Sequence, residues 1–364
     1  MALTWLISLA YSLIPSFLTP EFIVEHVQQY VPTWLLRLGV RLYLRHVSGP
    51  AMRGGDVVCQ QIVTDTKERD LEPVTTMVEE ANEQHYGNDP AFFAAHLGPR
   101  LKYSACEFGA VGDASVVSLG DAEDRTIRIY QDRAGLAELP DGARVLELGC
   151  GWGSLSLANA ARFPGLQFVS FSNSPQQIEF IGARAKERGL QNLQCFVEDY
   201  ALFVDPKASR VPAGPYDAAI AIETIEHCRN IRQLLAAVAG RLKPGGRLFA
   251  QSLLHQSASY LCDAGDWMGR NFFSGGSILS LNSYFHLTPP SLRLESVTPV
   301  SGVGYSRTLH AWLVNLEAQR PLLVAKYGKK FYEGFRAFYF VCVEAFAAND
   351  GCEFMVGYYS WTKV

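Results

Sequence analysis

Two short stretches of this 364-residue chain carry residue types whose spacing suits chemistry. The first is Glu223-Thr224-Ile225-Glu226-His227, two carboxylates three positions apart with a histidine beside the second. A histidine takes up a proton near neutral pH, and an adjacent carboxylate raises its basicity and orients it. Carboxylates in such a setting also hold an ammonium group by charge-assisted contact. The plainer alternative is that Glu226 and His227 cap the next helix or bind water. His255, after a later apolar run, is a further candidate for the same mouth.

The second stretch is Arg144 to Ser154, RVLELGCGWGS. Val145, Leu146 and Leu148 read as a buried parallel strand with Glu147 inside it, and Gly149, Gly151 and Gly153 open into a helix. Glycine lets the turn tighten and lets backbone approach a ligand closely. The glycines alone are weak evidence, because any strand-to-helix turn near a nucleotide can use them. The acid two residues before the first glycine sharpens the reading. It would repel a phosphate and welcome a cation. The order acid-x-Gly-x-Gly-x-Gly therefore suits S-adenosylmethionine, a sulfonium with an amino-acid tail.

These residues need a scaffold, and the alternation around them predicts one. Strands are read at 145–148, 167–171, 193–197, 217–222 and 247–253, with amphipathic helices at about 154–163, 176–188 and 230–242. This is an α/β fold with a doubly wound parallel sheet. Ligands in such sheets bind beyond the carboxyl ends of the strands, where the polar residues fall. Glu147 and Gly149 then stand beside the methionine moiety. The second strand ends in Ser172-Asn173-Ser174 without an acid, so Asn173, Ser172, Gln176 or Gln177 must bond the ribose as neutral groups. That absence counts against NAD. Asp199, between the third strand and Tyr200, is placed to accept from an adenine amino group or to cap a helix.

Composition narrows the class. A net charge of -4 and a pI near 6.1, with no Lys/Arg stripe, argue against nucleic acid as a partner. Eight cysteines without a Cys-x-x-Cys pair predict neither a zinc site nor a disulfide framework, but reduced thiols in a reducing, cytoplasmic compartment. No metal is expected. Residues 1–18 are apolar and uncharged, yet Pro15 interrupts them and no basic region precedes them, so neither a spanning helix nor a signal peptide is expected. Residues 34–45 put Arg37, Arg41 and Arg45 on one helical face. They read as a helical layer docked on the protein, with peripheral membrane contact as the sharper alternative. A helix end near His85-Tyr86, a turn at 87–90 and a helix packing Phe92, Phe93 and Leu97 lead toward the core. Residues 306–348 read as two aromatic-rich helices, mostly packing, with a few rings available to cage an amine. Residues 353–361 alternate as an antiparallel edge strand.

The Glu-Leu-Gly-Cys-Gly-Trp-Gly-Ser turn, the Glu-Thr-Ile-Glu-His segment and the upstream Tyr103-Ser104-Ala105-Cys106 resemble the cyclopropane fatty acid synthase superfamily. Within it the sequence is similar to plant coclaurine-type N-methyltransferases, which methylate benzylisoquinoline amines. The likeness extends over nearly the whole chain. It implies a seven-stranded Rossmann-like methyltransferase sheet, with a helical region at 1–121, a cofactor-binding core at 122–255, a helical and loop cap at 256–350 and a last strand at 351–364. It implies S-adenosylmethionine held by Tyr103, Ser104, Glu147, Gly149, Gly151, Gly153, Asn173, Gln177, Asp199 and Tyr200. Glu223, Glu226 and His227 become catalytic, the first anchoring the acceptor and the other two deprotonating it. His255, Trp267 and Tyr305 line the acceptor pocket. The implied partner is a small-molecule amine, and a homodimer is left open. Two departures bear on the acceptor. Ala105 stands where the synthases have a bicarbonate-site cysteine, and Gln251 where they have a histidine, although Tyr305 matches them. This favours transfer to nitrogen; the alternative is a cyclopropane synthase or lipid methyltransferase acting on membrane lipid.

Overall fold

The computed structural model describes residues 28–45, 64–65, 67–75, 89–109, 118–262 and 267–364. The apolar run at 1–18, the helix end near His85-Tyr86, residues 87–88 of the turn and Asp266 lie outside the described residues. Five parallel strands form the centre: β1 (Arg144–Leu148), β2 (Gln167–Ser172), β3 (Leu193–Val197), β4 (Tyr216–Ile222) and β5 (Leu242–His255). Their order is β3-β2-β1-β4-β5. Ala218, Ala219, Ile220 and Ala221 of β4 are all fully buried. A strand covered on both faces reads as a continuous apolar run, and this one does.

Beyond β5 the sheet turns antiparallel. β9 (Phe354–Lys363) pairs with β5 from Arg247–Thr362 to His255–Phe354, and β8 (Leu292–Val300) closes the edge on β9. β8 lies inside the stretch read from sequence as cap, yet it belongs to the main sheet. A short hairpin, β6 (Tyr260–Leu261) with β7 (Ser277–Ser280), extends the carboxyl end of β5, so among the described residues the sheet has nine strands rather than seven. Segments of two and four residues are too short to carry a readable period.

Twelve α-helices are described: α1 (Thr33–Tyr43), α2 (Pro90–His96), α3 (Leu119–Arg133), α4 (Ser154–Arg162), α5 (Pro175–Glu187), α6 (Tyr200–Phe203), α7 (Ile231–Arg241), α8 (Trp267–Asn271), α9 (Ser283–Leu287), α10 (Val303–Ala318), α11 (Arg320–Tyr327) and α12 (Lys329–Ala347). Local signals start several of them. Ser118 and Asp121 form a reciprocal capping box before α3, and Ser174 caps α5 with Pro175 at its first position. One face of the sheet carries an aromatic core in which Phe92 and Phe93 of α2 meet Trp312 of α10 and Phe335 and Tyr339 of α12. On the other face α7 buries Leu234, Leu235 and Val238.

Helix α1 is docked on α12. Leu36, Val40 and Leu44 pack against the aromatic core, and Arg37 and Arg41 both pair with the buried Glu344 carboxylate. The outer face of α1 leaves Trp34, Leu35, Leu38 and Leu42 exposed. Among the described residues no helix is long and apolar enough to cross a membrane, and no His/Cys/Asp/Glu group could hold a metal. Among the described residues Cys106, Cys150, Cys195, Cys228, Cys342 and Cys352 are free thiols.

Candidate active site

The site is built around the turn from β1 into α4. Gly149, Gly151 and Gly153 have φ of 63°, 52° and 78°, a region that L side chains rarely adopt. A Cβ on Gly149 would collide with Thr224, and one on Gly153 would lie 2.6 Å from Ile181. Gly153 therefore lets α4 approach α5 and does not line the cavity. Gly151 faces open space. The cavity lies at the carboxyl ends of β1 to β4, with the 101–104 loop on one side and Thr75 and Ser274 also in its wall.

Most residues read as cofactor ligands line this cavity: Tyr103, Ser104, Glu147, Gly149, Gly151, Asn173, Gln177, Asp199 and Tyr200. Their bonding refines the expected roles. Glu147 Oε2 accepts from Ser156 Oγ at 2.6 Å and Ser170 Oγ at 3.1 Å, and burial pushes its pKa up to about 7. Its carboxylate thus also ties β1 to α4 and β2. Ser172 Oγ donates to Gln177 Oε1 at 2.7 Å, which orients the neutral set at the end of β2. Asp199 takes the capping role and stands in the cavity wall. One carboxylate oxygen accepts the Leu202 N–H at 2.9 Å as the cap of α6, and the residue also lines the cavity. The Tyr200 and Thr224 hydroxyls meet at 2.5 Å.

The acidic segment follows β4. Glu223 has φ 46°, a strained conformation for a residue with a side chain, and such strain concentrates at functional sites. Its Oε1 accepts from the Ala105 N–H at 2.9 Å and from Gln251 Nε2, whose Oε1 in turn accepts from the Tyr130 hydroxyl. Burial raises the pKa of Glu223, opposed by Lys102, Ala105 and Gln251. Glu223 and His227 line the cavity, whereas Glu226 stands behind them. Glu226 Oε1 accepts the Leu253 N–H on β5, and burial plus the nearby Glu223 push it up to about 8. The His227 ring meets Phe273 edge-on at 5.0 Å, and burial lowers its pKa to about 4. The imidazole is neutral at pH 7.

The three residues read as acceptor-pocket lining are not in the cavity wall. His255 is fully buried: Nε2 lies 3.2 Å from Glu353 Oε1, and Nδ1 accepts the Ser257 and Ala258 N–H groups. It stabilises the turn after β5. Tyr305 packs on Phe346 at 4.5 Å within the aromatic core, and the half-buried Trp267 packs against that core on Phe272 at 5.2 Å. Residues that sequence reasoning missed include Lys102, Tyr130, Thr75 and Ser274. Lys102 adjoins the Tyr103-Ser104 motif, the one signal that marked it. Tyr130 looks like any apolar-face residue of a helix.

The residues present fit S-adenosylmethionine. The glycine turn offers open space at Gly151, neutral hydrogen-bonding groups gather at the end of β2, and Asp199 stands at the end of β3. Trp152 in the cavity wall has a buried Nε1 without a protein acceptor. Comparison with known proteins agrees. The chain is 28% identical over 304 residues to an (S)-coclaurine N-methyltransferase of Thalictrum flavum subsp. glaucum, covering 80% of each. A crystal structure of a coclaurine N-methyltransferase bound to N-methylheliamine and S-adenosylhomocysteine superposes with a TM-score of 0.81 at 25% identity, covering 92% of this chain and 96% of that one. A cyclopropane synthase of Mycobacterium tuberculosis shares the fold, with a TM-score of 0.67 at 18% identity over 80% of this chain and 100% of that one. Residues 74–352 match the family described as mycolic acid cyclopropane synthetase, and the chain belongs to that family of S-adenosylmethionine-dependent methyltransferases.

Proposed function

We propose that the chain transfers a methyl group from S-adenosylmethionine to the nitrogen of a small amine. The observation that carries this reading is that Glu223 and His227 stand together in the wall of one cavity beside the glycine turn. When bound, S-adenosylmethionine supplies a methyl group already activated on sulfur. The protein's own work is then to align the acceptor and exclude water. An amine attacks only as the free base, so its proton must leave. His227 presents a neutral imidazole in the cavity wall, and with burial holding its pKa at about 4 it relays that proton onward rather than keeping it. Glu223 anchors the acceptor by a charge-assisted contact.

The Ala105 and Gln251 positions support nitrogen over cyclopropanation. Both donors at these positions already point at Glu223 Oε1. A bicarbonate would find the Ala105 N–H and the Gln251 amide engaged.

A second reading, transfer to membrane lipid, is favoured by the exposed apolar face of α1. Labelled S-adenosylmethionine offered with (S)-coclaurine and related secondary amines, and separately with phospholipid vesicles, tests the choice. Label in the amine is the expected result. Label in lipid alone would overturn it and make the face of α1 a lipid contact.

A further inference from the structure

Lys102 is a buried cation, 1% exposed, whose hydrogen bonds go to neutral oxygens. Its Nζ donates to Ser104 Oγ at 2.7 Å and to the Ala105 carbonyl, and it lies 5.1 Å from the centre of the Tyr130 ring. Burying a cation without a contacting carboxylate is costly. A Met or Leu would fill the same space without that cost, so the charge itself needs a reason.

The surroundings supply one. Glu123 of α3 accepts the Arg100 N–H at 2.8 Å and the Lys102 N–H at 3.3 Å, holding the start of the loop. Lys102 then folds back over the next three residues and fixes both Ser104 and the Ala105 carbonyl. The Ala105 N–H, on the other side of that residue, meets Glu223 Oε1 at 2.9 Å. We propose that Lys102 is a positioning residue acting through Glu223: it clamps Ser104 and the Ala105 carbonyl so that the Ala105 N–H grips the Glu223 carboxylate. This rests on the reading of Glu223 as the acceptor's anchor.

The charge of Lys102 adds to the clamp. Among the groups that oppose the burial of Glu223, Lys102 contributes most, ahead of the bonds from Ala105 and Gln251. The other titratable groups facing Glu223 are Cys106, Tyr130, Glu226, Tyr305 and Tyr358. Lys102 is the cation of the set.

A double-mutant cycle with Glu223 separates action through that residue from general support of the fold. The full chain and its Lys102→Met, Glu223→Gln and doubly substituted forms are assayed for methyl transfer to (S)-coclaurine, with S-adenosylhomocysteine affinity read from tryptophan fluorescence. Lys102→Met is expected to lower kcat about tenfold or more, to leave the S-adenosylhomocysteine Kd within about threefold, and to move the acid limb of the kcat profile to higher pH. In the Glu223→Gln background the same substitution should cost less than about twofold. Equal losses in both backgrounds, or a loss confined to S-adenosylhomocysteine affinity, would overturn the proposal while leaving Glu223 in place. Full activity of Glu223→Gln itself would instead remove the reading on which it rests. Should Lys102→Met fail to fold, Lys102→Gln keeps a donor for the Ala105 carbonyl without the charge, and the same cycle and pH profile decide.

Discussion

The Ala105 N–H donates to Glu223 Oε1 at 2.9 Å, tying the cavity loop that contains Tyr103 and Ser104 to the end of β4. Glu223 takes φ 46° there, a conformation that costs about 1–3 kcal/mol and persists only when neighbours hold it. The bonds from Ala105 and Gln251 do so. The acid is thus presented at the cavity wall in one orientation, with little freedom to turn away.

Glu223→Gln keeps the shape and removes the charge. The amide is expected to lower kcat on an amine acceptor by about 100-fold or more, a magnitude typical of losing a positioned charged group. S-adenosylhomocysteine binding should change by less than about fivefold. Steady-state kinetics with binding measured on the same preparation checks both. A kcat equal to the parent's would exclude Glu223 from the reaction.

Asp199 caps α6 and lines the cavity, and substitution can separate the cap from the proposed bond to the cofactor. Asp199→Ser retains a side-chain oxygen for the Leu202 N–H, whereas Asp199→Ala loses it. The alanine variant is expected to lose about 0.5–2 kcal/mol of stability and the serine variant much less. Both should weaken S-adenosylhomocysteine binding by about tenfold, the worth of one hydrogen bond to a charged group. Melting curves and binding isotherms together give the answer. Unchanged affinity in both would leave Asp199 a helix cap alone.

The sequence made the centre of this molecule legible for a physical reason. A strand buried on both faces, a glycine turn and a capped amphipathic helix each leave a local pattern, and β1 to β5 with their helices follow such patterns. The placement of Glu223 and His227 in the cavity wall was readable because residues at strand ends in a parallel sheet face the mouth of the fold. The side on which a residue emerges was not. His255 also ends a strand, yet it turns to Glu353 and to the backbone of its own turn. Tyr305 and Trp267 sit on helices whose aromatics all look alike in sequence, and packing draws Tyr305 into the core and Trp267 against it. Lys102 and Tyr130 depend on contacts between loop and helix more than twenty residues apart, which no local period records.

Helix α1 offers a test of docking. Glu344 is buried and accepts from both Arg37 and Arg41, so Glu344→Ala leaves two guanidinium groups without their carboxylate. The expected loss is about 1–2 kcal/mol rather than the larger figure for a fully buried pair, because the Arg41 side chain is 61% exposed and regains water. Tryptic cleavage at Arg37 and Arg41 should accelerate in the variant while the sheet stays protected. Cleavage at the parent rate would mean that the apolar contacts of Leu36, Val40 and Leu44 hold the helix unaided.

Glu226 makes a prediction about pH whose sign is fixed by its burial. Its pKa is near 8 in the folded protein against an ordinary value of 4.5. Between those values the folded state binds more protons than the unfolded one, so stability falls as pH rises. The contribution is complete below about pH 4.5 and is lost as pH climbs through about 8. Glu226→Gln stays neutral and has no such loss. The difference in Tm between variant and parent should therefore shift in the variant's favour from pH 5 to pH 8.5. His227, with its pKa lowered to about 4, destabilises the folded state on the acid side, but it does so in both proteins and cancels in the difference. Parallel Tm curves would mean that Glu226 is ionised in the folded protein despite its burial.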